Sequence, residues 1–214
     1  MKVCTDACLF GALLPTGYNH ILDIGTGTGL LSLMMAQKNP TAIIEAVEID
    51  NAAAQQATEN FNASPWKERM NVFYSDVLNL DRGKIYDCII SNPPFFEGDL
   101  QSAEPSKNNA KHNSSLRFQQ LIKFVSLHLK TDGCFAVLLP YHRVDYFINE
   151  AVESALYLKQ QLLVKQTEGH DFFRGILFFS SAKVQPVYSE MEIKNKGQYT
   201  AAFSAALKDF YLSL

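Results

Sequence analysis

Apolar positions along the chain fall into short runs, and each run gives way at a glycine turn or polar break to a stretch of helix-forming residues. Tyr18 to Ile24 holds the apolar pair Ile21-Leu22 and stops at glycines, and Leu30 to Gln37 is rich in Leu and Met. That is the order strand, glycine turn, helix. Ala42 to Ile49 is β-branched and apolar, Ala52 to Phe61 carries helix formers, and Asn71 to Tyr74 and Tyr86 to Ser91 read as strands. Leu116 to Leu129 gathers Leu116, Gln120, Ile122, Phe124, Val125 and Leu129 mostly on one side, as a helix does, before Gly133 opens a strand at Cys134 to Leu139. Val144 to Leu156 follows as a helix, then two β-rich runs, Gln161 to Gln166 and Gly175 to Ser180, with no helical pattern between them. Alternating β and α with apolar strands predicts a mostly parallel sheet covered on both faces, and the last two runs predict an antiparallel hairpin at its edge. The expected class is α/β: a Rossmann-like, seven-stranded, mostly parallel sheet with a reversed edge strand.

Composition adds bounds. With 214 residues and 47% apolar composition the chain can bury one substantial core, so a single domain over 1–214 is expected. There is no uncharged apolar run of about 18 residues and no basic stretch leading into an apolar segment at the N-terminus, which predicts a soluble cytoplasmic protein with no membrane partner, expected as a monomer. Cys4, Cys8, Cys88 and Cys134 form no CxxC pair, so neither a disulfide framework nor a metal site is indicated. The net charge of −3 argues against broad attraction to nucleic acid but leaves room for a local basic face. Gly98 to Ser115, rich in Ser, Asn and Lys, reads as a long loop, and loops of that length tend to be lids or binding segments.

The candidate chemistry begins at Leu22-Asp23-Ile24-Gly25-Thr26-Gly27-Thr28-Gly29, a glycine loop between strand and helix where a ligand can approach the backbone closely. A dinucleotide fingerprint needs GxGxxG, whereas Gly25, Gly27 and Gly29 fall as GxGxG, which makes NAD and FAD poorer candidates. Glu48, in Ala46-Val47-Glu48-Ile49-Asp50, ends the second strand about 20 residues further on, where a carboxylate accepts ribose hydroxyl protons. Asp50 competes for that contact but stands equally well as a helix cap. Asp76, in Ser75-Asp76-Val77, ends the third strand and is suited either to an adenine amino group or to an Asx cap. Asp23 with GxGxG, Glu48 and Asp76 at successive strand ends resembles the class I S-adenosylmethionine-dependent methyltransferases. The resemblance implies S-adenosyl-L-methionine as cofactor, held by Asp23, Gly25, Thr26, Gly27, Gly29, Glu48, Ile49, Ser75, Asp76 and Val77.

The strand Tyr86 to Ser91 runs into Asn92-Pro93-Pro94-Phe95-Phe96. In isolation Asn-Pro-Pro is a strand-terminating turn. Next to an adenosyl site it suits a different task, because two successive prolines keep carbonyl acceptors while removing two N–H donors. The Asn92 side-chain oxygen and the Pro93 carbonyl can each take one N–H of a conjugated amino group, aligning its lone pair on a methyl donor, while Phe95 stacks on the base. Asn92, Pro93, Pro94 and Phe95 are therefore the catalytic candidates, with Asn92 also bordering the cofactor; Phe96 is either core or lid.

NPPF/Y motifs serve adenine N6, guanine N2 and glutamine amides alike. The opening Met1-Lys2-Val3-Cys4-Thr5-Asp6-Ala7-Cys8-Leu9-Phe10-Gly11-Ala12 is similar to the MKVxTDxxLxGA start of the tRNA1(Val) adenine-N6 methyltransferase family, as are ILDIGTGTGLLSLMMAQ, AVEID, SNPPFF and the terminal Tyr199-Thr200 with Asp209-Phe210-Tyr211-Leu212. That family usually carries a further segment with FxFKxFxxxQ ahead of MKV, and the sequence here begins at MKV. The resemblance spans almost the whole chain. It implies N6-methylation of the adenine beside the anticodon of a valine tRNA, and a segment 1–17 that closes over the cofactor through Lys2, Thr5 and Asp6; the same residues are also compatible with a plain capped helix start. Competing readings are guanine-N2 methylation of ribosomal RNA, glutamine methylation of release factors, and an adenosyl-binding scaffold without catalysis. Candidate RNA contacts are Lys107, Lys111, His112 and Arg117, in or just after a substrate-side loop at 97–115, with Lys194 and Lys196 as a second patch.

Overall fold

In the computed structural model, which describes residues 4–80, 83–93 and 118–211, the apolar runs become one eight-stranded sheet. Its strands are β1 (His20–Ile24), β2 (Ile43–Glu48), β3 (Met70–Tyr74), β4 (Tyr86–Ser91), β5 (Leu129–Pro140), β6 (Tyr157–Lys165), β7 (Phe172–Ser180) and β8 (Val187–Glu192), in spatial order β3-β2-β1-β4-β5-β7-β6-β8. The first five are parallel to one another, and β7 runs antiparallel to both β5 and β6. Strand order reverses between β1 and β4, and crevices at such switch points, beyond the carboxyl ends of the strands, are where α/β sheets bind ligands.

Two details correct the expected seven strands with a reversed strand at the edge. β8 is an eighth strand, parallel to β6 and outside it, and the reversed strand β7 lies inside the sheet, between β5 and β6. Burial explains the insertion: Gly175 to Ser180 are all buried, and such an unbroken apolar run needs cover on both faces. β6 exposes Lys159 and Gln160 and tolerates a position further out.

Successive strand residues face opposite sides, so Ile21 and Leu22 enter separate cores. On one face Ile21, Ile44 and Ile90 meet Leu9 and Phe10 of α1 (Thr5–Leu13), Leu31 and Met35 of α2 (Leu30–Lys38), and Phe203 and Leu207 of a terminal helix at Ala201–Leu207. On the other, Leu22, Ile89, Phe135 and Phe179 meet a helix at 118–128 and Phe147 of the helix Val144–Glu153. A further helix, α3 (Asn51–Ala63), joins β2 to β3. The Lys38 ammonium at the end of α2 donates to carbonyls of α1, Ala12 at 2.6 Å among them, and so fixes the two helices to each other. After β8, a short hairpin of β9 (Lys194–Asn195) and β10 (Gln198–Tyr199) leads into the terminal helix.

Helix α1 begins at Thr5 with Cys4 as its cap residue and no side-chain capping bond, so neither Thr5 nor Asp6 is the cap. All four cysteines are free thiols, and Cys8, Cys88 and Cys134 are buried. Among the described residues no helix is long and apolar enough to cross a membrane, and no group of side chains is arranged to hold a metal ion.

Candidate functional site

The glycine loop leaves β1 at the switch point and is strapped to β2. The Gly25 and Thr26 N–H groups donate to the Val47 carbonyl at 2.9 and 3.2 Å, and the Gly27 N–H donates to Glu48 Oε2 at 2.8 Å. The other Glu48 oxygen accepts from the Asp50 N–H at 2.9 Å. Each carboxylate oxygen keeps a second lone pair, so the residue expected to hold a ribose also organises the loop. Gly25 has φ +71°, and a side chain there would meet nothing within 4 Å, so its outer side is open to a ligand. Gly29 is the opposite case. It caps α2 at φ +86°, and an added Cβ would lie 2.5 Å from the Phe61 ring of α3.

Asp23 sits wholly inside, against the glycine loop. Its Oδ2 accepts from the Thr26 hydroxyl at 2.6 Å and the Ser32 hydroxyl at 2.7 Å, and its Oδ1 is buried without a hydrogen-bond partner. Burial pushes the carboxyl up to about 6, against the two hydroxyls that favour its ionised form. Ser32 was not among the candidates from sequence; its signal is a hydroxyl in the first turn of the helix that follows an acid-and-glycine loop.

Ile49, after Glu48, is 66% exposed, and the Ser75 N–H donates to the Glu48 carbonyl at 3.0 Å, which brings the ends of β2 and β3 together. Asp50 caps α3 by accepting from the Ala53 N–H at 2.8 Å. Asp76 accepts from the Leu78 N–H at 3.0 Å and caps a short turn at Val77–Asn79, the Asx arrangement held open above.

Asn92 follows β4. Ser91 Oγ donates to the Ile24 carbonyl at 2.9 Å, its register partner, so β4 ends beside the first residue of the glycine loop. Asn92 Oδ1 is buried and has no hydrogen-bond partner among the described residues. Buried acceptors are rarely left so, and those that are call for a functional account. Pro93 is half-buried next to it. Pro94, Phe95 and Phe96 lie outside the described residues, as do Lys2, the loop at 97–115, and Lys107, Lys111, His112 and Arg117.

Of the N-terminal candidates, Asp6 is engaged elsewhere. Its Oδ2 accepts from Arg174 Nε of β7 at 2.7 Å, and the Ala7 N–H donates to its Oδ1 at 3.0 Å. Burial raises this carboxyl, but hydrogen bonds from Cys4 and Arg174 outweigh it and leave it below the usual range. Thr5 and Asp6 line a cleft of about 310 Å³ with Gln166, Phe173, Ile193, Lys194 and Tyr199.

The open side of Gly25, the exposed Ile49, and the unpartnered oxygens of Asp23 and Asn92 all fit a cofactor with hydroxyls, an adenine and positive charge. Comparisons agree on the class. Residues 7–143 match the model of the methyltransferase small domain. The chain is 39% identical to the tRNA1(Val) (adenine(37)-N6)-methyltransferase of Pectobacterium carotovorum over 99% of this chain and 88% of that one, and 41% identical to the enzyme of the same name from Dyadobacter fermentans over 99% and 91%. Among solved structures, a predicted O-methyltransferase from Agrobacterium tumefaciens shares the fold at a TM-score of 0.74 with 15% identity, covering 95% of each chain. TrmN from Thermus thermophilus shares it at a TM-score of 0.62 with 19% identity, over 82% of this chain and 47% of that one. The chain belongs to the tRNA1(Val) (adenine(37)-N6)-methyltransferase family.

Proposed function

We propose that the protein methylates N6 of an adenine in tRNA, the adenine beside the anticodon of a valine tRNA, with S-adenosyl-L-methionine as donor. One observation carries the assignment of chemistry: the buried Asn92 Oδ1, which has no hydrogen-bond partner among the described residues, at the switch point next to the glycine loop. Bound there, S-adenosyl-L-methionine supplies a methyl group made electrophilic by its sulfonium. The protein's own residues do the rest. Glu48 and the loop hold the adenosyl end, and Ile49 offers an apolar face beside them. Asn92 Oδ1 accepts one N–H of the target amine and the Pro93 carbonyl accepts the other, which pulls the nitrogen from planar toward tetrahedral and turns its lone pair outward. Phe95 stacks on the extruded base. No strong base is needed, because the proton leaves once the nitrogen carries four substituents. The proposed unit is a single chain that acts on tRNA in the cytoplasm.

Asn92→Ala tests this. Its kcat on a valine tRNA transcript should fall by about a hundredfold or more, the usual loss for a preorganised hydrogen-bonding group, with cofactor affinity changed by less than about threefold. Near-normal turnover in the folded variant would remove Asn92 from the chemistry.

A further inference from the structure

The cleft lined by Thr5, Asp6, Gln166, Phe173, Lys194 and Tyr199 takes no part in the reaction as described. It opens on the same edge of the sheet as Asn92: β5 ends at Pro140 opposite Arg174 of β7, and Arg174 in turn lies opposite Val164 near the end of β6. Three strand spacings of about 4.8 Å, β4 to β5 to β7 to β6, separate it from Asn92, roughly 14 Å.

Its charge is set by which groups are already paired. Asp6 is bound to Arg174 at 2.7 Å, and Lys165 to Glu192 at 3.1 Å. Among the described residues, Lys194 and Lys196 make no ion pair with an acid. They are held in place by the β9–β10 hairpin, in which Lys194 pairs directly with Tyr199 and the turn Lys196-Gly197 has φ of +48° and +83°. Two successive positive φ values are what a tight two-residue hairpin demands, and a lysine adopts one only at a cost. The hairpin is locked to the sheet: the Lys194 N–H donates to the Gln166 carbonyl at 2.9 Å, and Thr200 Oγ1 donates to the Glu192 carbonyl at 2.7 Å. The Lys194 ammonium lies 5.0 Å from the Tyr199 ring, which stacks on Phe203 at 4.9 Å. A rigid hairpin therefore presents Lys194 beside aromatic walls and the Gln166 amide, with Lys196 on its turn. At about 310 Å³ the cleft is at the lower end of small-ligand sites.

We propose, on the reading of the chain as a tRNA methyltransferase, that this cleft receives a single-stranded nucleotide flanking the target adenine. Its phosphate meets Lys194, with Lys196 on the adjoining hairpin turn, and its base packs on Phe173 against the edge of Tyr199, with its own edge toward Gln166. Cations with aromatic walls are the usual means of holding unpaired RNA. The acid inside does not repel the phosphate, because Arg174 neutralises Asp6.

The test is fluorescence anisotropy with a synthetic anticodon stem-loop of a valine tRNA, across a salt series, on wild type, Lys194→Gln/Lys196→Gln and Gln166→Ala, with turnover on the full transcript. The double variant should bind the stem-loop about tenfold more weakly with a salt slope lower by about one to two, raise KM, and leave kcat at saturating RNA and cofactor affinity within about twofold. Arginine at both positions should restore binding, which a loss of hairpin structure would not permit. Wild-type activity on tRNA together with an unchanged affinity and salt slope in the double variant would overturn the cleft assignment alone. Absence of any wild-type activity or binding on tRNA would overturn the proposed function and the cleft with it.

Discussion

Asp23 and Asn92 each bury a side-chain oxygen with no partner among the described residues, on either side of the seam between β1 and β4, but their chemistry differs. An amide does not titrate in this range. Asp23 does, and its value of about 6 in the fold stands above the ordinary 3.8. The folded chain therefore holds this proton more tightly than the unfolded one. The stabilising contribution is complete below about pH 4 and is lost as pH rises through about 6. Urea unfolding between those limits should show stability falling with pH, and Asp23→Asn should remove that slope. A cationic ligand next to the carboxyl reverses the preference, since positive charge favours ionisation. Affinity for S-adenosyl-L-methionine should accordingly weaken as pH drops below about 6 in wild type, and titration calorimetry on Asp23→Asn should give a flatter profile.

At the scale of elements, the loop works because two others shape it: β2 accepts its N–H groups, and α3 brings Phe61 against Gly29. Gly29→Ala meets both a positive φ and a 2.5 Å approach to that ring, and should cost about 1–3 kcal/mol, read as a lowered Tm. Adding Phe61→Leu should recover the steric part and leave the backbone part. Strands β1, β2 and β4, and β5 from Cys134 on, are legible because each carries a buried apolar run. The missed elements lack one. β8 reads Val-Tyr-Ser-Glu-Met-Glu and buries no residue fully, so its alternation is faint. β6 begins at Tyr157, four residues before its apolar part, because Tyr157, Leu158 and Gln160 pair with β7, around a register shift at Lys159, through a backbone ladder that composition does not reveal. Helix α1 is apolar nearly all round, being packed against α2 and the terminal helix, and so shows no one-sided stripe. At the site, the strand-end acids and Asn92 could be named from sequence. The Asp6–Arg174 pair, 168 residues apart, could not, since only the closed sheet brings them together.

For the whole molecule, ligand binding and folding are linked. At a hundred times its Kd, S-adenosyl-L-methionine should stabilise the fold by about 2.7 kcal/mol, which for a chain of this size is roughly 5–10 °C in Tm. NAD at the same concentration should leave the melting curve unmoved, because the loop spacing is not a dinucleotide one; an equal shift with NAD would undo the cofactor assignment.

The hydrogen bond from Ser91 to Ile24 lies on a dividing line in the chain. Apart from Asn92, which borders it, the β1-to-β3 residues proposed to hold the methyl donor all precede β4. Everything assigned here to the acceptor follows it, from Asn92 to the β9–β10 hairpin, with the Thr5–Asp6 end of α1 the sole exception. A gene with this layout can diversify by rewriting its second part while inheriting the first intact. Substrate preference then evolves as a cassette, and the selective cost of each trial is confined to one side of a two-strand joint.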